Sequence, residues 1–343
     1  MTPRLCFELR AGAWRELLRN GERHLRAAWA VGGPDSTTLA AVAQLLRSNG
    51  FNLVRIPLAV AAVANNIEVD RYKMGNETAL LKAFEGRELH YLDVLDYVVH
   101  ELRSNTPLWY DEGQGCPETV VEQMWTTLAS RYANQWNVLG ADLNNEPHGE
   151  ATWGSGDVKT DWRLAAVRLA EKVLTLCSHW LIFVEGVQTT SCDAGHDMPC
   201  FWGEDLQAVG QHPVKLCVDN RLVYCPHTYG PAVSWQPYFN AEDFPANMPR
   251  IWDTHFGYLK QQSEVPLVIG EWGGRHENPK DRSWQTRFAE YAQQIGVSGV
   301  IVWCVNPNGG DTDGLLCADW RTPNTNALQL LSRFAGTPVP PSY

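Results

Sequence analysis

Apolar residues fall in two rhythms along this chain. One is the short unbroken run, seen at Phe51–Pro57, Val138–Leu143, Trp180–Glu185, Leu222–Pro226, Pro266–Gly270 and Gly299–Cys304. Runs without polar alternation mark strands buried on both faces, as in a parallel sheet. Leu25–Val31 reads as an earlier strand. The other rhythm is helical, with apolar positions three and four apart. It predicts helices at Ser36–Ser48 (Ser36 as N-cap, Asn49-Gly50 as stop), Leu89–Arg103 and Pro117 to about Tyr132. Further helices are expected at Asp161–His179, Arg250–Gln262, Arg282–Ile295 and Thr325–Phe334. The rhythms alternate, and βα units repeated over ~250 residues predict a (β/α)₈ TIM barrel. An open doubly wound sheet is the alternative, but no GxGxxG follows the first strand, so its nucleotide-binding form gets little support. No internal repeat or domain boundary interrupts the pattern. The chain reads as one domain over 1–343, with its core at about 14–334 and a loose tail at 335–343.

Composition narrows the partners. The 343 residues are 44% hydrophobic, enough for a barrel-sized core, and 39 acidic against 28 basic side chains give a net charge of -11. That balance argues against nucleic acid or an anionic membrane as partner. No apolar stretch approaches the ~18 residues of a membrane span. Residues 1–18 carry Arg4, Glu8, Arg10, Arg15 and Glu16, and do not read as a secretory leader. The nine cysteines contain no CxxC pair, which weakens zinc and thioredoxin-type readings. Cys192/Cys200 and Cys304/Cys317 bracket short loops at spacings that suit disulfides in a secreted protein, and the odd total leaves at least one thiol unpaired. Fifteen tryptophans are many. Packing accounts for most, but flat rings also stack on sugars, and Trp153, Trp202, Trp235 and Trp272 are candidate platforms.

Chemistry enters at the strand ends. Leu143-Asn144-Asn145-Glu146-Pro147 and Val268-Ile269-Gly270-Glu271-Trp272 each place a glutamate after an apolar run. Two carboxylates held across a cleft are the minimum equipment for hydrolysing a glycosidic bond. In a barrel, the C-terminal strand ends form the active face. Arg55, Asn145, Glu146, His227, Tyr229, Glu271 and Trp303 all fall there. Any one could be a cap or a core residue, but all of them together are hard to ascribe to coincidence.

The stretches ADLNNEPHGEATWG (141–154), WLIFVEGVQT (180–189), YCPHTYGP (224–231), VIGEWG (268–273) and VIVWCVNPNGGDTDGLL (300–316) resemble glycoside hydrolase family 5, the cellulase family of retaining β-glycanases. The likeness runs from about Trp14 to Phe334 and is strongest to the endo-β-1,4-glucanase branch. It implies Glu146 as general acid/base, protonated until it serves the leaving oxygen, and Glu271 as the ionised nucleophile. Retention needs their carboxyls ~5–5.5 Å apart. The resemblance further implies that Arg55 and Tyr229 hydrogen-bond Glu271 and that Asn145 binds the sugar 2-OH. His227 would contact substrate or the glutamate pair. Trp303 would floor the subsite next to the cut, with a cis Trp303–Cys304 peptide.

One feature departs from the family. A third strand and its histidine should follow the second helix, yet Leu89–Arg103 runs directly into Ser104-Asn105-Thr106-Pro107 and Leu108-Trp109-Tyr110. The third strand therefore reads as shortened or missing. Pro107–Tyr110 could stand in for it, strands two and four could pair directly, or the barrel could fold poorly. The reading as a whole is a retaining endo-β-1,4-glucanase, secreted and monomeric. It needs no metal or cofactor and acts on a β-glucan or related oligosaccharide rather than nucleic acid or membrane. Alternatives are a β-mannanase, a β-1,3-glucanase, a glycolipid glycosidase, or a carbohydrate-binding pseudo-enzyme that lost activity with the third strand.

Overall fold

The computed structural model describes residues 4–10, 39–49, 51, 53–59, 90, 108–112, 116–188, 198–307 and 311–334, with the backbone alone at 4–10, 39–41, 43, 47 and 53–59. The expected strand at 25–31, almost all of the expected helix at 89–103, and the tail at 335–343 lie outside these residues. In chain order come β1 (Arg4–Arg10), α1 (Leu39–Ser48), β2 (Leu53–Ala59), α2 (Glu118–Tyr132), β3 (Val138–Asp142), α3 (Trp162–Leu176) and β4 (Leu181–Val184). They are followed by β5 (Leu222–Tyr224), β6 (His227–Tyr229), α4 (Met248–Trp252), α5 (Leu259–Gln262), β7 (Val268–Gly273), α6 (Pro279–Ile295), β8 (Gly299–Val302) and α7 (Thr325–Leu331).

Every strand-to-strand ladder is parallel, in the orders β2-β1-β3-β4-β5 and β6-β7-β8. β5 and β6 are two halves of one barrel strand. The first half pairs with β4 and the second with β7, and a bridge from Tyr224 to Leu267 joins the two sheets. β2 and β8 approach one another at the far side, so the sheet curls into a ring. The described residues thus supply seven barrel strands, with helices between most of them, in a (β/α)₈ architecture.

The third-strand position is filled from an unexpected place. Residues 108–110 form a loop. Strands β2 and β3 do not pair with each other. β1 stands between them, with Cys6 opposite both Arg55 and Gly140. The sequence Arg-Leu-Cys-Phe-Glu-Leu-Arg alternates, and its charges disguise it among the buried runs. An alternating heptad is nonetheless a good strand. An open slot between two strands leaves rows of unpaired N–H and C=O groups, so any extended segment that reaches it is held by ladder hydrogen bonds on both sides. β2 also runs past Pro57 to Ala59, which puts Arg55 inside the strand rather than at its end. Proline's fixed φ is compatible with extended backbone and removes a single donor.

The helix expected at Arg250–Gln262 is interrupted. α4 and α5 are separated by a π-turn over Asp253–Gly257. A Cβ at Gly257 would overlap the Tyr291 hydroxyl, which donates to Asp253 Oδ1 at 2.7 Å. The extra residue in the turn carries His255 into the interior, with Nδ1 3.4 Å from the buried Glu204. α6 begins three residues earlier than its apolar rhythm suggests. Asn278 caps it by accepting from the amides of Lys280 and Asp281, ahead of Pro279 at the first turn.

Trp109, Trp125, Trp162, Trp180, Trp252, Trp272 and Trp284 are fully buried, so most of the tryptophan surplus is core. Among the described residues no two cysteines are joined by a disulfide. Cys304 points to the carbonyl of Asn306 and Cys317 to that of Pro323, so the two thiols serve different backbone acceptors. Cys200 is free and buried, and Cys192 lies outside the described residues.

Candidate active site

The carboxylates converge because parallel strands deliver successive C-terminal ends to one rim. Glu146 lies four residues beyond β3, and Glu271 sits in β7 directly opposite His227 of β6. Residues opposite one another on adjacent strands point the same way. One carboxylate oxygen of Glu146, one of Glu271 and a ring nitrogen of His227 all lie within 4.8 Å of one another. His227 Nδ1 is 3.1 Å from Glu146 Oε1 and 3.6 Å from Glu271 Oε2. Its other ring nitrogen, Nε2, is 3.1 Å from Glu185 Oε1. The Tyr229 hydroxyl donates to Glu271 Oε2. Asn145 Nδ2 donates to Glu146 Oε2 at 3.3 Å.

Glu146 adopts a left-handed backbone, φ +50°. A non-glycine residue held there signals strain that its surroundings must maintain. Its amide donates to Glu185 Oε2 at 2.7 Å, and its carbonyl lies 2.6 Å from His148 Nδ1. The His148 ring stacks on Trp202 with centroids 3.8 Å apart.

Burial disfavours charge on His227. The neighbouring carboxylates, Glu185 and then Glu271, together with the contacts to Glu146 and Glu185, outweigh it and lift its pKa well above the usual value. The ring between the two glutamates is therefore biased towards its protonated form. Two carboxylates and an imidazole are also a metal donor set, as are Cys200, Glu204 and His255 deeper in the fold. Ligation needs a neutral imidazole. Both histidines are pushed towards the protonated form, which opposes it.

β8 leads into Trp303, which is largely buried, and the Trp303–Cys304 peptide is cis, as the motif implies. The side chain of Arg55 lies outside the described residues. Glu146, Glu271, His227, Tyr229 and Asn145 are thus brought together, and Trp303 follows the neighbouring strand.

The family Cellulase (glycosyl hydrolase family 5) matches residues 18–309. The chain belongs to glycosyl hydrolase family 5. It is a glycoside hydrolase with the family's barrel. An endoglucanase of Paenibacillus polymyxa is 44% identical over 309 residues, 84% of this chain and 75% of that protein. The major extracellular endoglucanase of Xanthomonas campestris pv. campestris is 35% identical over 84% of this chain, which spans 61% of its length. Among solved structures, the catalytic domain of the Xanthomonas enzyme superposes with TM-score 0.78 at 31% identity, covering 98% of this chain and 95% of that one. An endocellulase of Pyrococcus horikoshii in complex with cellotetraose gives TM-score 0.76 at 31% identity, covering 96% and 92%.

In this family 5 chain, sequence reading missed Glu185 and the pairing of His148 with Trp202. Glu185 carried a visible signal: it ends the run Leu181-Ile182-Phe183-Val184 just as the other two glutamates end theirs. Among the tryptophans proposed as platforms, Trp272 and Trp153 are buried, Trp202 is half-buried and Trp235 is exposed.

Proposed function

We propose that this family 5 member is a retaining endo-β-1,4-glucanase acting on cellulose-like chains. The observation that carries the reading is the separation of the Glu146 and Glu271 carboxylates, whose nearest oxygens lie within 4.8 Å. That gap suits direct attack on the anomeric carbon and leaves no room for the intervening water an inverting enzyme needs. Glu271, accepting from Tyr229 and facing the His227 cation, is held ionised as nucleophile. Glu146, the more exposed of the pair, protonates the departing oxygen and then activates water. Arg55 supports Glu271, Asn145 meets the 2-OH, and Trp303 floors the adjoining subsite. Trp235 and Trp202 are the remaining candidates for stacking sugar rings farther along the cleft.

The endoglucanase names of the relatives and the cellotetraose bound by the Pyrococcus neighbour support a β-1,4-glucan as substrate. The extracellular Xanthomonas relative supports secretion. No helix among the described residues is long and apolar enough to cross a membrane. On this reading the chain acts as one monomeric catalytic domain without a cofactor.

The deciding experiment is NMR of the first product from a soluble β-1,4-glucan. The β-anomer is expected, and initial release of the α-anomer overturns retention. Parallel assays on β-mannan and β-1,3-glucan decide the substrate. Glu271→Gln is expected to abolish turnover, and Glu146→Ala to lower it ~10²–10⁴-fold on the natural polymer.

A further inference from the structure

Glu185 takes no part in the reaction as described, yet it is fully buried beside it. Sealing a carboxylate from water is strongly unfavourable unless partners replace its hydration. Two of its partners belong to the acid/base apparatus. Oε2 accepts the amide proton of Glu146 at 2.7 Å, and Oε1 lies 3.1 Å from His227 Nε2. We propose that Glu185 is a positioning residue for proton transfer, fixing the backbone of Glu146 and the ring of His227 at once so that His227 Nδ1–H is aimed at the acid/base carboxylate. This inference rests on the reading of Glu146 as acid/base.

The geometry selects a carboxylate there. Both contacts come from N–H groups in different directions, and an ionised carboxylate accepts on both oxygens. A glutamine has one accepting oxygen and would turn its NH₂ against the other donor. Nε2–H is not well aligned with Oε1, so that contact is chiefly an ion pair. It therefore favours the cationic ring.

The groups facing His227 are Glu185 after β4, Glu146 and Asp142 from the β3 side, and Glu271 from β7, whose Oε2 also accepts from the Tyr229 hydroxyl. With both nitrogens protonated, one N–H faces Glu185 and the other faces Glu146. When Glu146 passes its proton to the departing glycosidic oxygen, the carbon–oxygen bond breaks and Glu146 becomes an anion. The Nδ1–H already at 3.1 Å then makes a charge-assisted hydrogen bond, stabilising that anion as it forms. His227 keeps its own proton throughout. The amide anchor has a separate role: together with His148 it holds Glu146 in its left-handed conformation, which is unfavourable on its own.

The test compares wild type with Glu185→Gln on two substrates, and follows the histidine rings by ¹⁵N NMR. A β-1,4-gluco-oligosaccharide needs protonation of its leaving group, whereas an aryl β-cellobioside with an acidic phenol does not. The variant is expected to lose about ten- to a hundredfold in kcat/KM on the oligosaccharide and only a few-fold on the aryl glycoside. Wild-type His227 is expected to be protonated on both nitrogens at neutral pH, and to titrate at lower pH in the variant. Equal losses on both substrates, or an unmoved His227 titration, would overturn the proposal. Should the variant not fold, the wild-type spectrum still decides, because a neutral His227 at pH 7 defeats it. Absence of any glucanase activity in the wild type would instead defeat the proposed function, leaving the ring titration to judge Glu185 separately.

Discussion

At the scale of single residues, the glutamates were legible because a charged side chain at the end of an apolar run stands out. What the runs do not reveal is which carboxylate meets solvent and which is sealed. Glu185 and Glu146 carry the same local signal, but one is fully buried and the other 15% exposed at its side chain. Gly203 shows how tightly the pair is packed. A Cβ there would lie 2.5 Å from Glu185 Oε2 and 3.2 Å from Glu146 Cα, at a φ of +71° that L side chains rarely adopt. Gly203→Ala is therefore expected to cost about 1–2 kcal/mol in backbone strain, read as a lower melting temperature, with a larger proportional loss of kcat. On the other carboxylate, Tyr229→Phe removes the hydroxyl that donates to Glu271. A hydrogen bond to a charged group is worth about 1.5–3 kcal/mol, so kcat/KM should fall about ten- to a hundredfold with KM little changed. Steady-state kinetics on a soluble glucan checks this.

At the scale of elements, the helical and buried-strand rhythms located α2, α3, α6, β2 to β5, β7 and β8 to within a few residues, whereas β6 falls on residues read as lying beyond the strand. β1 escaped because its charges broke the apolar run. No local signal states that a strand near residue 7 belongs between strands near residues 56 and 141. That is a long-range pairing decided by an unfilled slot. Deleting residues 4–10 is expected to expose the edges of β2 and β3, replacing a sharp thermal unfolding with a broad one. A sharp, unshifted melt followed by circular dichroism would show the strand to be dispensable. The π-turn escaped for a similar reason: its cause is the Tyr291 hydroxyl from α6, 34 residues downstream of Gly257. Gly257→Ala is expected to destabilise the fold by about 1–3 kcal/mol through overpacking, measurable in denaturant.

At the scale of the whole molecule, buried titratable groups set a pH dependence. Burial opposes charge on His227 and His255, but their carboxylate neighbours raise both pKa values above the unfolded value of ~6.5. The stability they contribute is complete below that pH and is lost as pH rises through the folded values. Burial also pushes the thiols of Cys116 and Cys177 up to about 11 and the Tyr224 hydroxyl up to about 12. The unfolded chain then ionises first, so these groups too lose stabilising effect as pH rises beyond their unfolded values. His276, pushed down by burial, acts in the opposite sense but only below about pH 6.5. Melting temperature is expected to decline steadily from pH 7 to pH 10. A rise over that range would contradict this assignment of charges.

The sequence by itself determined the barrel's alternating elements, the two glutamates and the rim residues His227 and Tyr229, because burial periodicity and strand-end chemistry are local properties written in neighbouring letters. Only the tertiary structure decided the distance between the carboxylates, the burial of Glu185, the separate backbone acceptors of Cys304 and Cys317 and the strand that fills the third position. Those depend on groups far apart in the chain meeting in space, where packing, desolvation and unpaired backbone, rather than any local pattern, select the arrangement.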